Sequence, residues 1–270
     1  MSLLNDVEDR LKPLFDALAH PPSSDPNKWL MIEHESSLIF ASWPVPAEQL
    51  RSLVPSALDI DTFQGTAWVT IEALQSSAVR FRELPIPATP LDGIETNVRT
   101  YVRYQGQRGI LFLSLDCPGF LGSTMSQVLF KLPFHEADAT LTLDGDNYHI
   151  ESIRIEKSAA PPQFALSGRI TGDPAIVAAG SLDDFLLNLT CLFAVTPDGD
   201  LYRGEVAHRP RVIQSIDAVI PTNTLVAAAG LTLPNQPPIV RYSPGDDSLA
   251  WPLERLATGV GTASAGAPTS

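Results

Sequence analysis

Lysine is scarce in this sequence. Of the 18 basic residues in 270, 14 are arginine and four are lysine: Lys12, Lys28, Lys131 and Lys157. Positive charge as a whole is in deficit, because 31 acidic residues leave a formal net charge of −13. That excludes nucleic acid as a main partner, since binding phosphate takes a basic patch. It equally excludes a polybasic membrane anchor. Cysteine is nearly absent. Cys117 and Cys191 make no spaced set, which reads as buried thiols in a reducing compartment rather than a disulfide framework or a zinc site. No apolar run reaches the roughly 18 residues of a membrane span. The first ten residues carry acids where a signal peptide carries positive charge, so the reading is cytoplasmic.

Cofactor signatures are missing as well. Gly119-Phe-Leu-Gly122-Ser lacks the lysine of a phosphate loop, and Gly259-Val-Gly261 follows no predicted strand. Asp144-Gly-Asp146-Asn147 resembles the start of a calcium loop, but Ile155 stands where its bidentate Glu is needed. No nucleophile elbow of the Gly-x-Ser-x-Gly type occurs. No cofactor and no metal is expected.

What the chain does have is 24 prolines, many short β-forming runs and few long helical ones. Residues 1–29 read as a helical extension and linker, with Leu4, Val7, Leu11, Leu14 and Leu18 on one stripe. Residues 30–256 read as one domain, and 257–270, rich in Gly, Ala, Ser and Thr, as a disordered tail. Within the domain, strands are expected at 37–43, 66–73, 76–82, 96–104, 110–115, 140–143, 148–155, 164–170 and 201–206. Short helices are expected at 46–54, at 124–131 behind a Thr124…Gln127 capping box, and at 181–195 behind Ser181. The sum is an α+β fold, a mainly antiparallel β-barrel or cone with flanking short helices.

One strand stands out: Glu95-Thr-Asn97-Val-Arg99-Thr-Tyr101-Val-Arg103. Residues two apart share a face, so Glu95, Asn97, Arg99, Tyr101 and Arg103 form one polar row. The partner run 110–115 is apolar on both faces, which places the pair deep in the sheet. Two readings fit. The row is a solvent-facing surface, or it is a pocket wall in which Glu95 pairs with Arg99 or Arg103, since a buried charge is costly unless matched. In a pocket, desolvation would raise the Glu95 pKa and suit it to general acid work.

Several motifs occur in order: Trp43-Pro-Val-Pro46, Leu58-Asp-Ile-Asp61, Gly65-Thr-Ala-Trp68, the Glu95 row, Phe112-Leu-Ser-Leu-Asp116, Leu132-Pro-Phe-His135 and His208-Arg-Pro210. Together they resemble the YqjF-like family of uncharacterised proteins, in the acetoacetate decarboxylase-like superfamily. The resemblance covers about residues 30–253. It implies a single β-barrel or cone around a small-molecule pocket. It also implies that Glu95 stands where decarboxylases of that superfamily keep an assisting glutamate, and that Leu132-Pro133 matches their Phe-Pro. The lysines that would follow, and form a Schiff base with a β-keto acid, are replaced by Phe134 and His135. No other lysine stands at a matching place, so imine chemistry is not expected. The sequence also departs from its nearer relatives at Gln127, at Asn188-Leu189-Thr190 and at Arg211, changes that mean either a different ligand or a lost activity.

The functional expectation is a pocket enzyme of lyase, dehydratase or cyclase type acting on a small carbonyl- or carboxylate-bearing molecule. Glu95 and His135 would handle protons, and Arg99, Asn97, Tyr101, Arg103 and His208 would hold the substrate. The alternatives are a non-catalytic small-ligand binder and an interaction module docking through the N-terminal helix. A homo-oligomer stays open.

Overall fold

The computed structural model describes residues 25–83, 92–119 and 130–260. The N-terminal stripe at 3–19, the Thr124…Gln127 box and residues 261–270 lie outside the described residues. After a single 3₁₀ turn at Pro26–Lys28, the elements run β1 (Met31–Val45), α1 (Ala47–Arg51), β2 (Asp59–Ile60), β3 (Ala67–Phe81), β4 (Gly93–Tyr104), β5 (Gln107–Cys117), β6 (Phe134–Asp144), β7 (Asn147–Arg154) and β8 (Gln163–Ile176). They continue with α2 (Leu182–Leu187), β9 (Cys191–Val195), β10 (Leu201–His208), β11 (Val212–Asn223), α3 (Leu225–Ala228), β12 (Ile239–Ala250) and β13 (Glu254–Ala257).

The 13 strands among the described residues belong to one sheet. It is mixed but mainly antiparallel, β5 pairing in parallel with both β6 and β9. The sheet curls into a ring rather than a strict barrel. Strands β1, β3, β4 and β5 lie side by side, and one path closes them through β6, β7, β8, β11 and β12. A second path closes the same four strands through β9, β10 and β12. β12 serves both: Tyr242 and Arg241 pair with β11, while Leu249 and Ala250 pair with β10.

The four shared strands are therefore buried on both faces. Ile39, Val69, Ile71, Val98 and Val102 pack on one side with Tyr148, Ile150 and Phe164 of β7 and β8. Leu38, Phe40, Leu74 and Tyr101 pack on the other with Leu186 of α2 and Leu192 of β9. This double burial is why the chain reads as β-branched and aromatic runs with little polar alternation.

Three irregularities change which residues face which side. Side chains alternate strictly along a strand, so one extra residue swaps the faces. On β1 the register slips between Ser36 and Ile39, where Ser37 takes a left-handed φ of 53°. On β3 it slips opposite Ile32–His34, where Ala78 has a φ of 54°. On β5 it slips opposite Val98–Arg99.

Several sequence expectations change here. The strand expected at 37–43 begins six residues earlier, at Met31. The two strands expected at 66–73 and 76–82 are one bulged β3. The helix expected at 181–195 ends at Leu187, with Asn188 as its cap. Its second half is β9, because Leu192 and Phe193 fill the gap between β5 and β10 and pair with both.

Candidate active site

On the α2 side of the shared strands lies a cavity of about 170 Å³. That is close to the volume in which an apolar cavity holds one benzene ring. Ile110, Phe112, Leu187, Leu192, Val206 and Trp251 are among its apolar walls. Its polar residues are Glu33 and Glu35 from β1, Glu72 from β3, Glu95, Asn97 and Arg99 from β4, Glu205 and His208 from β10, then Arg211 and Ser248.

The bulges build this floor. Met31, Glu33 and Glu35 point into the cavity, and after Ser37 the same side of β1 is taken by Leu38 and Phe40. On β3, Glu72 and Leu74 face the cavity before Ala78 and Val79 faces it after. On β5 the lining passes from Ile110 and Phe112 to Leu115 and Cys117.

Two ion pairs are buried in the floor. Arg99 Nη1 donates to Glu72 at 2.8 Å, both side chains being almost wholly shielded. Its Nη2 donates to the Leu186 carbonyl at the end of α2, which also accepts from the Tyr101 hydroxyl. These contacts satisfy one of the carbonyls a helix end leaves unpaired. Arg211 Nη2 lies 2.7 Å from Glu35, and its backbone N–H donates to Asn188. Burial would raise the Glu35 carboxyl, but Arg211 and His208 bring it below its ordinary value.

Among the described residues, neither Glu33 nor Glu95 has such a cation. Burial pushes Glu33 up to about 8, with Glu35 and Glu95 adding repulsion against the hydrogen bond from the Ser76 hydroxyl at 2.5 Å. Burial likewise pushes Glu95 up to about 7, with Glu35 and Glu72 repelling its charge and a hydrogen bond to Asn97 opposing the rise. His208 donates from Nδ1 to the Arg209 carbonyl, and burial with the nearby Arg211 lowers it to about 4, so it is neutral at pH 7. Burial raises the Cys117 thiol to about 12, which keeps it unreactive.

Of the residues singled out in the sequence, Glu95, Asn97, Arg99 and His208 line the cavity. Glu95 does not pair with Arg99 or Arg103 as expected. Glu72 takes Arg99 from the adjacent strand, and Arg103 donates to Asp61 at 2.7 Å. Tyr101 is fully buried beneath α2, held by Thr70 at 2.7 Å, and lies outside the lining. Arg103 also lies outside it, at the sheet edge where β2 ends. His135 must likewise be taken out of the site. Phe134 points into the cavity, so its neighbour on β6 points away, towards Asp116 and Arg154. Those two form their own buried pair, with bonds of 2.7 and 3.0 Å.

Glu33, Glu35, Glu72, Glu205 and Ser248 line the cavity without being singled out by the sequence, whereas Arg211 stands out there as a departure from the relatives. Glu33 and Glu35 precede the strand expected at 37–43. Glu72 is the one charged residue in the run Trp68-Val-Thr-Ile-Glu72-Ala-Leu74, and a lone acid in such a run is the signal that marks it. No lysine is among the described residues lining the cavity. Lys131 instead sits over the Tyr202 ring, 5.2 Å from its centre.

Comparison with known proteins agrees with this architecture. A family model described as "Uncharacterized conserved protein", DUF2071, matches residues 34–247. The uncharacterized protein YqjF of Bacillus subtilis (strain 168) is 34% identical over 227 residues, covering 84% of this chain and 93% of that one. Among solved structures, acetoacetate decarboxylase from Legionella pneumophila matches with a TM-score of 0.59 at 12% identity, over 92% of this chain and 96% of its own. The enduracididine biosynthesis enzyme MppR complexed with pyruvate also matches with a TM-score of 0.59 at 12% identity, over 90% and 97%. At such identities these two speak for the fold.

Proposed function

Because the chain belongs to the DUF2071 family of uncharacterized conserved proteins and carries an acetoacetate decarboxylase-like fold, we propose that it is a lyase-type enzyme moving a proton beside the carbonyl of a small molecule without a lysine imine. One observation carries this reading. Glu33 and Glu95, two carboxyls with no opposing cation among the described residues, line one apolar-walled cavity, where burial pushes them up to about 8 and about 7. Carboxyls tuned to the working pH, with different values, are what general acid–base chemistry needs.

In the cycle we assign, the Glu95 carboxylate takes a proton from the carbon next to the carbonyl. The C–H electrons form the carbon–carbon double bond of the enol, and the carbonyl electrons move onto oxygen. Glu33, still protonated, gives that oxygen its proton. Asn97 orients Glu95, and the Arg99–Glu72 pair fixes the wall beside them. In elimination the enol O–H would give its proton back to Glu33 as the carbonyl re-forms, the enol electrons would expel the group on the next carbon, and Glu95 would protonate that departing group. In ring closure the same electrons would attack a second carbonyl carbon and Glu95 would protonate the oxygen formed. His135, turned away from the cavity, has no part in this cycle.

The test is deuterium exchange followed by NMR in heavy water, with a neutral ketone such as cyclopentanone and with pyruvate. Exchange beside the carbonyl is expected to accelerate and to fall by about 10²-fold or more in Glu95→Gln. Binding without any exchange for either compound would instead support the non-catalytic binder. Borohydride trapping of a covalent adduct would overturn the imine-free route.

A further inference from the structure

We propose that the cavity takes an organic cation, an ammonium group on an apolar body about the size of one aromatic ring, in preference to a carboxylate. This names the ligand class of the same cavity and rests on its being the binding site. Carboxyls outnumber cations in the cavity floor: Glu33, Glu35, Glu72 and Glu95 stand against two guanidiniums, Arg99 and Arg211. Each guanidinium is already matched, Arg99 by Glu72 at 2.8 Å and Arg211 by Glu35 at 2.7 Å. His208 adds no positive charge at neutral pH. An incoming carboxylate would have to compete with Glu72 or Glu35 for its partner, and it would bar Glu33 and Glu95 from ionising, with little water to screen the repulsion. An incoming ammonium meets the reverse situation.

An independent observation points the same way. Asn97 is only 3% exposed and lines the cavity, yet its Oδ1 has no hydrogen-bond partner. The Asn97 bond to Glu95 is therefore made through Nδ2, and Oδ1 is left as a buried acceptor. Such a group is costly until a donor meets it. An ammonium brings three donors and no acceptor. Nε of Arg99, and Nε and Nη1 of Arg211, also lack hydrogen-bond partners. They belong to guanidiniums whose charge is already neutralised, so a neutral oxygen suits them, and the cation can carry a carbonyl or hydroxyl as well. The raised Glu33 and Glu95 fit this picture: with no cation present each favours its proton, and a bound ammonium would expel it.

Calorimetric titration of the full chain with benzylamine, benzyl alcohol and benzoate tests the proposal, with the Trp251 indole signal in NMR reporting occupancy. Benzylamine is expected to bind at least about tenfold more tightly than benzoate near pH 7. The gap should widen from about pH 6 to about pH 8, and the heat should depend on the buffer as protons are released. In Glu95→Gln and, separately, in Glu33→Gln, both checked for native circular dichroism, the preference should shrink about threefold or more. Benzoate binding as tightly as benzylamine, or benzyl alcohol matching it without pH dependence, overturns the cation while leaving the cavity as the site. If none of the three moves the Trp251 signal, both the cation and the site reading fall.

Discussion

Glu95 carries a pH signature that can be measured without a substrate. Its folded pKa of about 7 lies above the ordinary carboxylate value of 4.5. The native state therefore holds a proton that the unfolded chain releases, and stability falls as pH rises from about 4.5 through about 7. Urea unfolding at about pH 5 and about pH 8 should show Glu95→Gln gaining on the wild type by about 2 kcal/mol across that interval. Glu72 makes the opposite case, because its charge has a partner. Glu72→Gln leaves the Arg99 guanidinium buried without a carboxylate and should cost about 3–5 kcal/mol, read in the same denaturation experiment. At this scale the sequence was half legible. The row of Glu95, Asn97 and Arg99 could be seen because alternation in a strand is a local rule. Their partners could not, because Glu72 and Glu35 reach the site through cross-strand register. His135 looked promising beside the Leu-Pro motif, but the single-residue alternation of β6 turns it away.

Elements were legible where local pattern and tertiary context agree. The strands expected at 96–104 and 110–115 are neighbours, β4 and β5, joined by a tight Gln105-Gly106 turn with both residues at positive φ. Pro46 opens the way into α1 as expected. The pattern misled where a neighbour decides. An amphipathic run after Ser181 looks helical throughout, yet its second half is recruited as β9 between two strands remote in sequence. β11 and β12 were not foreseen at all. Their polar residues and prolines hide a strand whose pairing comes from β1, β8 and β10. Gly245 of β12 shows how tight that pairing is. A Cβ there would stand 2.0 Å from the Glu35 carbonyl oxygen and 2.6 Å from the Ser36 Cα, at a φ of 98°. Gly245→Ala should therefore cost more than about 3 kcal/mol and displace Glu35 from Arg211, visible as a lowered melting temperature together with weakened ligand binding.

Across the whole molecule, both closures of the sheet run through short seams. On one path the β11–β12 seam rests on Gln214↔Tyr242 and Ser215↔Arg241, and the β5–β6 seam on Leu115↔Phe134 and its two neighbours. On the other, the β5–β9 seam rests on Ile110↔Leu192 and Leu111↔Phe193. β1 pairs with β3 and β12 along most of its length. Hydrogen exchange under native conditions should show amides at those short seams opening first and those of β1 and β3 last, in separate cooperative steps. Uniform protection around the ring would contradict this. The shared four-strand sheet has a further consequence. It is a party wall: one room is packed solid, the other is hollow. Dense protein interiors hardly compress, so the wall behind Glu72 and Glu95 cannot give way to a bulkier guest. Opposite it, β9 and β10 are backed in their turn by the buried Cys191, Phe193 and Leu201. Both walls are thus stiff, and a guest lengthened well beyond one ring should lose affinity rather than swell the room.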